Sequence, residues 1–198
     1  MILSILIPTI VGRETSYVRL ANDLISQRAK VSDLNEVEII PVKDNKEISI
    51  GLKRQQLIEK AKGEYVVFID DDDSVNGQYI NKIISTLKDF KPDAIGFKIE
   101  CMIDGKGPFM ASASNTWQDW AENKGGFKYV RTPYQKTPIK REIALQIGYK
   151  DMRYGEDYDY SKRLKESGLI KSESFIDEVM YYYNFKYEDP KTKYGFKD

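Results

Sequence analysis

Apolar positions along the chain alternate between two periods, one of two residues and one close to 3.6, and the switches between them mark the predicted elements. Leu3, Ile5, Leu6 and Ile7 read as a buried strand over residues 3–7 stopped by Pro8, with residues 9–14 as the loop behind it. From Thr15 the spacing becomes helical, with Tyr17, Leu20, Ala21, Leu24 and Ile25 on one face. A second strand is predicted over 37–42, interrupted by Pro41, and a second helix by Ile50, Leu57, Ile58 and Ala61, closed by Gly63. Arg54 lies near that apolar face with nothing adjacent in sequence to meet its charge. The third unit is Tyr65-Val66-Val67-Phe68-Ile69, β-branched and aromatic, followed by a helix that buries Tyr79, Ile80, Ile83, Ile84, Leu87 and Phe90 and ends at Pro92.

Residues 94–102 read as a fourth strand and Asp104-Gly105-Lys106-Gly107 as a hairpin turn. The spacing then predicts a short helix over 115–123 carrying Trp117 and Trp120, a break at Gly125-Gly126, a strand over 129–132, and a helix with Pro138 in its first turn that runs through Arg141, Ile143, Ala144 and Ile147 to Gly148. A further helix begins near Asp157 and ends at Gly168, and residues 175–185 form a last strand that closes the sheet or lines a cleft. Three successive strand–helix units of about thirty residues each describe half of a parallel, doubly wound sheet. The fold class is therefore α/β, and such sheets bind ligands at the carboxyl ends of their strands.

Composition narrows the chemistry. The chain has 198 residues, a length that suits one domain, and its 31 basic and 31 acidic residues cancel. That balance removes any global pull toward nucleic acid or an anionic membrane. The run Lys124, Lys128, Arg131, Lys136, Lys140 and Arg141 is either a solvated surface or a local polyanion patch. A single cysteine, Cys101, allows no internal disulfide and no thiolate cluster, so a reducing compartment is expected: the cytoplasm of a bacterium, or of a host cell if the source is viral. There is no histidine, which excludes Ser-His-Asp and Cys-His catalysis and leaves carboxylates for acid–base and metal work. The apolar N-terminus lacks a basic lead-in and reads as a first strand, and no segment is expected to span a membrane.

Two acidic features carry the candidate chemistry. Directly behind the third strand stand Asp70, Asp71, Asp72 and Asp73. Ionising four adjacent carboxylates at the mouth of a packed sheet is costly, so the run is either neutralised by a hard divalent cation or sits in water as an acidic loop. The second feature is Tyr154-Gly155-Glu156-Asp157-Tyr158-Asp159-Tyr160. Asp157 shares a helical stripe with Tyr160, Ser161 and Leu164, which predicts that it faces the protein body from the first helical turn, where the helix dipole favours its ionised form. It is read either as a base for an acceptor hydroxyl or as a helix cap.

Together, Ser4-Ile5-Leu6-Ile7-Pro8-Thr9, the run from Ala61-Lys62-Gly63-Glu64-Tyr65 through Asp73, and Gly155-Glu156-Asp157 resemble the family 2 glycosyltransferases of the GT-A fold. The resemblance implies a Rossmann-like α/β/α sandwich with a mostly parallel central sheet, in a single catalytic domain over 1–198. Residues 1–93 would be the nucleotide-sugar-binding half and 94–198 the acceptor-side half. It implies an inverting, metal-dependent transfer of a sugar from a nucleoside-diphosphate sugar, with a UDP-sugar as first choice, to a hydroxyl of a glycan or a modified nucleobase. Asp72 would ligate Mn²⁺ or Mg²⁺ with Asp70, and Asp73 would touch the metal, its water or the ribose. Asp157 would be the base. Thr9, Arg13 and Glu14 would form the turn over the nucleotide, Asp44 would meet its base, and Arg54, Asp70 and Asp71 would lie against the donor.

Where many relatives carry a metal-binding histidine near the C-terminal Tyr181-Tyr182-Tyr183, this chain has none, leaving Asn184, Glu188 or water to substitute. No acceptor module or membrane helix is expected, so residues 101–134 and the segment before Gly155 would read the acceptor. Two other readings fit the same acids. Asp71-Asp72-Asp73-Ser74-Val75 matches the Asp-x-Asp-x-Val pattern of haloacid-dehalogenase-like phosphatases, with Asp71 as nucleophile, although that family places the motif on its first strand and two units precede it here. The other is a metal- or nucleotide-sugar-binding module without catalysis, against which Asp157 argues.

Overall fold

A computed structural model describes residues 1–185. In chain order its strands and helices are β1 (Leu3–Ile10), α1 (Glu14–Arg28), β2 (Val37–Asp44), α2 (Ile50–Lys60), β3 (Tyr65–Phe68), β4 (Ser74–Val75), α3 (Tyr79–Phe90), β5 (Ala94–Ile103), β6 (Lys106–Ala113), β7 (Ala121–Lys124), β8 (Phe127–Arg131), β9 (Ile139–Lys140), α4 (Arg141–Ile147), α5 (Glu156–Ser167) and β10 (Glu173–Phe185). The sheet runs β2-β1-β3-β9-β5-β6-β8-β7, and β10 joins it along β5 and through the short β4. β2, β1 and β3 are mutually parallel, and β10 runs parallel to β5. The two-residue β9 fills the gap between β3 and β5, antiparallel to both.

Period-two alternation divides the core between the two faces of this sheet. Leu3, Ile5, Ile7, Val67 and Ile69 pack with Leu20, Leu24, Ile80, Ile83 and Leu87 from α1 and α3. Leu6, Val66 and Phe68 pack on the other face with Leu57, Ile58, Ile143, Tyr160 and Leu164 from α2, α4 and α5. The result is an α/β/α sandwich that places α2 and α5 on one side of the strand ends. Burying each large aliphatic or aromatic side chain contributes about 1.5–3 kcal/mol, which is what holds the layers together.

Several elements depart from the sequence expectation for local reasons. β1 continues through Pro8 because its pairing with β3 ends at Leu6, so the missing N–H costs no bond on that side. Pro41 sits in β2, the edge strand, where a proline is tolerated. Ile25 and Phe90 are exposed, at 57% and 71%, and α1 instead buries Gln27, whose side chain donates to the Asn76 carbonyl and accepts from the Ile80 N–H. No helix forms over 115–123. Ser114 and Asp119 take the backbone N–H groups of Thr116 and Trp120, a local alternative that competes with helix, and the chain then enters the β7–β8 hairpin. Pro138 precedes β9 rather than opening a helix, because Ile139 is inserted between Val66 and Ala94 and buried there; the helix starts at Arg141.

Gly51 fixes how closely α2 approaches the segment ahead of α5. A Cβ there would lie 1.9 Å from the Lys150 carbonyl oxygen, and the Gly51 N–H donates to the Met152 carbonyl. We expect Gly51→Ala to lower the unfolding free energy by about 1–3 kcal/mol, the cost of overpacking. Gly77→Ala, with open space around it, is the control. Chemical denaturation of both variants checks this; equal stabilities would mean that the contact is not tight.

Candidate functional site

The ends of β1, β2 and β3 deliver Thr9, Asp44 and the Asp70–Asp73 turn to one edge of the sheet, and α2, the 132–138 segment, β10 and the first turn of α5 surround it. Three of the four acids turn into the protein and one turns outward. Asp71 is buried, accepting from the Thr9 hydroxyl at 2.6 Å and from Arg13 Nη1 at 3.0 Å. Asp73 is buried as well, its Oδ2 accepting from Lys136 Nζ at 2.5 Å and the Tyr181 hydroxyl at 2.6 Å, its Oδ1 from the Asn184 N–H at 3.1 Å. Asp70 lies between two cations, with Arg54 Nη2 on Oδ1 at 3.0 Å and Lys136 Nζ on Oδ2 at 2.9 Å. Asp72 alone turns its carboxylate outward. Its side chain is 46% exposed and meets Arg13 Nη1 at 3.1 Å.

The electrostatics follow this geometry. Burial alone would raise the Asp70 carboxyl, but Lys136 and Arg54 outweigh it and hold the group well below the usual carboxylate range. Burial would likewise lower Lys136, yet Asp70 and Asp73 keep its ammonium protonated far above the ordinary lysine value. Asp72 moves the other way. Partial burial and the neighbouring Asp73 charge raise it, and Arg13 only partly offsets them. Three protein cations thus reach all four acids, with Arg13 shared between Asp71 and Asp72, and the carboxylate whose charge is least offset is that of Asp72.

Arg54 also ties this turn to α5. Its Nε donates to Glu156 Oε1 at 3.3 Å, its guanidinium lies 5.0 Å from the Phe68 ring centroid, and its buried Nη1 has no hydrogen-bond partner among the described residues. Burial raises the Glu156 carboxyl despite Arg54. α5 starts one residue away from the expected phase: Gly155, at φ 74°, precedes it, Glu156 goes under with Tyr160, Ser161 and Leu164, and Asp157 is half-buried at the edge. Asp157 Oδ1 accepts the Tyr158 N–H at 2.8 Å, and its charge reaches Arg54, Tyr134 and Tyr183, which border the acid turn.

On the β2 side, Asp44 is ion-paired with the buried Lys53 and accepts the Ile48 N–H at 3.2 Å; Lys53 also donates to the Thr9 carbonyl at 2.8 Å. Burial opposes ionisation of Asp44, but Lys53 prevails and lowers it. Glu14 is paired with Lys43 and accepts the Gly12 N–H at 3.0 Å; the Lys43 hydrogen bond leads in lowering it to about 2. Thr9, Ile10, Glu14, Tyr17, Pro41 and Lys43 line a groove beside the strand ends.

Thr9, Arg13, Arg54 and all four acids of the turn are therefore brought together, with Asp44 and Glu14 flanking them and Asp157 across from them on α5. Asn184 meets Asp73 through its backbone, and Glu188 lies outside the described residues. The site also contains Lys136, Tyr181, Glu156, Lys53 and Arg19, whose guanidinium donates to the Asp72 and Asp73 carbonyls at 3.1 and 2.8 Å. Lys53 and Arg19 were not singled out in the sequence, and Glu156, Tyr181 and Lys136 were named there without a role at this turn. Lys136 belongs to a run that reads as solvated, and only the need to neutralise four acids without histidine hinted that a lysine must turn inward. The rest of that run forms no patch: Arg131 stacks on Trp120, Lys140 pairs with Asp93, and Arg141 caps the Ile58 and Glu59 carbonyls. Asp71 as a phosphatase nucleophile is overturned, because its buried oxygens are committed to Thr9 and Arg13.

For a divalent cation the available donors are few. Among the described residues no three Asp, Glu, Cys or His side chains converge on a common point. Asp72, outward and carrying excess negative charge, fits an ion that takes its other ligands from a bound anion and water.

The sequence profile of glycosyl transferase family 2 matches residues 23–142, more than half of the chain. The chain belongs to that family. Its fold is that of S. aureus TarS: the crystal structure of TarS 1–349 in complex with UDP superposes with a TM-score of 0.70 at 16% identity, covering 93% of this chain and 60% of that one. The same TarS fragment in complex with UDP-GlcNAc gives a TM-score of 0.69 at 15% identity, with 99% and 62% covered. The longer TarS structure gives 0.67 at 15%, with 93% and 37% covered. The chain thus spans about 60% of the TarS fragment's length. Comparison with curated protein sequences gives no match.

Two outcomes follow from the ion network. Asp70 is depressed below its ordinary value of 3.8, so its contribution to stability is complete above that pH and is lost as pH falls toward the lower folded value. Unfolding free energies measured across this acid range should fall for the wild type and fall less steeply for Asp70→Asn; identical slopes would contradict the assignment. Tyr181→Phe deprives buried Asp73 of a donor and should cost about 1–3 kcal/mol in the same assay.

Proposed function

We propose that this chain is an inverting glycosyltransferase that uses a divalent metal ion and transfers a sugar from a nucleoside-diphosphate sugar, a UDP-sugar in the first instance, to an acceptor hydroxyl. The observation that carries the reading is the single outward carboxylate of Asp72 at the carboxyl end of β3, in a family 2 chain where Arg54 ties that turn to Glu156 of α5, next to Asp157. The complexes with UDP and UDP-GlcNAc are those of TarS and support a UDP-sugar donor here by likeness of fold.

In this scheme Thr9, Arg13, Glu14 and Asp44 border the nucleotide, and Arg54 backs the donor side through its pairs with Asp70 and Glu156. Asp72 is the residue that would hold Mn²⁺ or Mg²⁺. The metal, when bound, offsets negative charge on the departing nucleoside diphosphate. Asp157, in the first turn of α5, takes the acceptor's O–H proton as the acceptor oxygen bonds to the anomeric carbon. The bond from that carbon to the diphosphate breaks with its electron pair on the leaving group, and in-line attack inverts the centre. The 1–93 half is then mainly the donor side and the rest mainly the acceptor side, although Lys136 and Tyr181 cross over to complete the acid turn. Among the described residues no helix is long and apolar enough to cross a membrane.

Donor turnover should be measured by release of UDP from a panel of UDP-sugars with and without Mn²⁺. Asp157→Asn should lower turnover by about 10²–10⁴-fold, the range for a lost general base, while donor binding by thermal shift is retained. Asp72→Asn should abolish the Mn²⁺ dependence. Wild-type turnover in Asp157→Asn, or unaltered Mn²⁺ dependence in Asp72→Asn, would reject the respective role.

A further inference from the structure

We infer that Lys136 is an internal counter-ion that holds Asp70 and Asp73 out of the metal shell, so that this protein presents one carboxylate to a cation where its sequence offers four. The inference rests on the donor-site reading only for the location of the cation, and it concerns a positioning residue rather than a catalytic one.

Lys136 is 4% exposed, and its ammonium bridges Asp70 Oδ2 at 2.9 Å and Asp73 Oδ2 at 2.5 Å, with the Tyr181 and Tyr183 ring centroids 4.3 and 4.5 Å away. The Tyr181 hydroxyl, 3.0 Å from the same ammonium, closes the cage by also donating to Asp73. A divalent ion approaching Asp70 or Asp73 would have to displace this buried cation or sit beside it, and two positive centres at such spacing in a partly desolvated site repel strongly. Asp71 is occupied by Thr9 and Arg13 on the other side of the turn. What remains is Asp72, which shares Arg13 with Asp71 but turns a 46% exposed side chain outward. A single monodentate carboxylate binds Mn²⁺ or Mg²⁺ weakly, since affinity in oxygen-ligand sites rises with the number of ligand charges. The ion is therefore expected to arrive with, and depend on, the oxygens of a diphosphate.

The test uses Mn²⁺ alone, with no nucleotide, titrated into the full chain and followed by loss of the free-ion EPR signal. Wild type should bind weakly. Lys136→Met frees one oxygen of Asp70 and one of Asp73 beside Asp72, and should bind Mn²⁺ about tenfold more tightly or better. Lys136→Arg keeps the charge and should stay at the wild-type affinity. A purely structural role would not raise cation affinity, so a Lys136→Met protein that binds Mn²⁺ no more tightly than wild type overturns the inference. If Lys136→Met does not fold because Asp73 is left buried and unpaired, Lys136→Met/Asp73→Asn is titrated instead; Asp70 and Asp72 should still give a gain, and its absence is equally decisive. Because no donor is present, failure of UDP-sugar binding would reject the proposed function without touching this result, and the converse also holds.

Discussion

Four carboxylates on consecutive residues cannot all remain ionised at the end of a buried strand unless matching positive charge is brought to them. The rest of the site is arranged around that constraint. Arg13 comes from the loop after β1, Arg54 from α2 and Lys136 from the segment between β8 and β9, so three distant parts of the chain converge on one turn. Each cation is itself held elsewhere. Arg54 reaches Glu156 on α5, and Lys136 is boxed in by β10. The acid turn thereby fixes the relative positions of both halves of the domain, and the cost of desolvating these charges is offset only because nearly every oxygen finds a donor.

This arrangement separates structural acids from the one available for chemistry. Asp70, Asp71 and Asp73 are held by cations and hydroxyls, whereas Asp72 keeps an exposed, electrostatically unfavourable carboxylate. A charge left in such a position is a cost to the isolated protein and a gain on binding a cation. The Arg54–Glu156 pair then links that turn to the helix carrying Asp157, so Asp72 and Asp157 are joined through α2 and α5 rather than set on independent loops.

Much of this frame was legible in the sequence. The β-branched strand ending in Asp70, the hairpin at Asp104-Gly105 and the helical spacing after Thr15 and around Ile80–Leu87 all express local propensity and burial on one face, which sequence pattern reports directly. The directions of the four acids were not legible, because a run of identical residues carries no periodicity. The phase of α5 was missed by one residue: Gly155 in a left-handed conformation starts the helix so that Glu156, not Asp157, goes inward. Lys136 was hidden for a different reason. Its burial is decided by long-range packing, as Ile139 threads between β3 and β5 and draws the preceding loop across the strand ends, and nothing in its immediate neighbours distinguishes it from a surface lysine. The Trp117–Trp120 segment failed as a helix because the Ser114 and Asp119 side chains satisfy the backbone locally.

The most direct measurement is a crystal structure of this protein with Mn²⁺ and UDP, with the metal located by its anomalous signal. The account predicts one protein carboxylate, that of Asp72, on the ion, the diphosphate and water completing the shell, and Lys136 still bridging Asp70 and Asp73. An ion ligated by Asp70 or Asp73 with Lys136 displaced, or an ion bound away from Asp72, would contradict it.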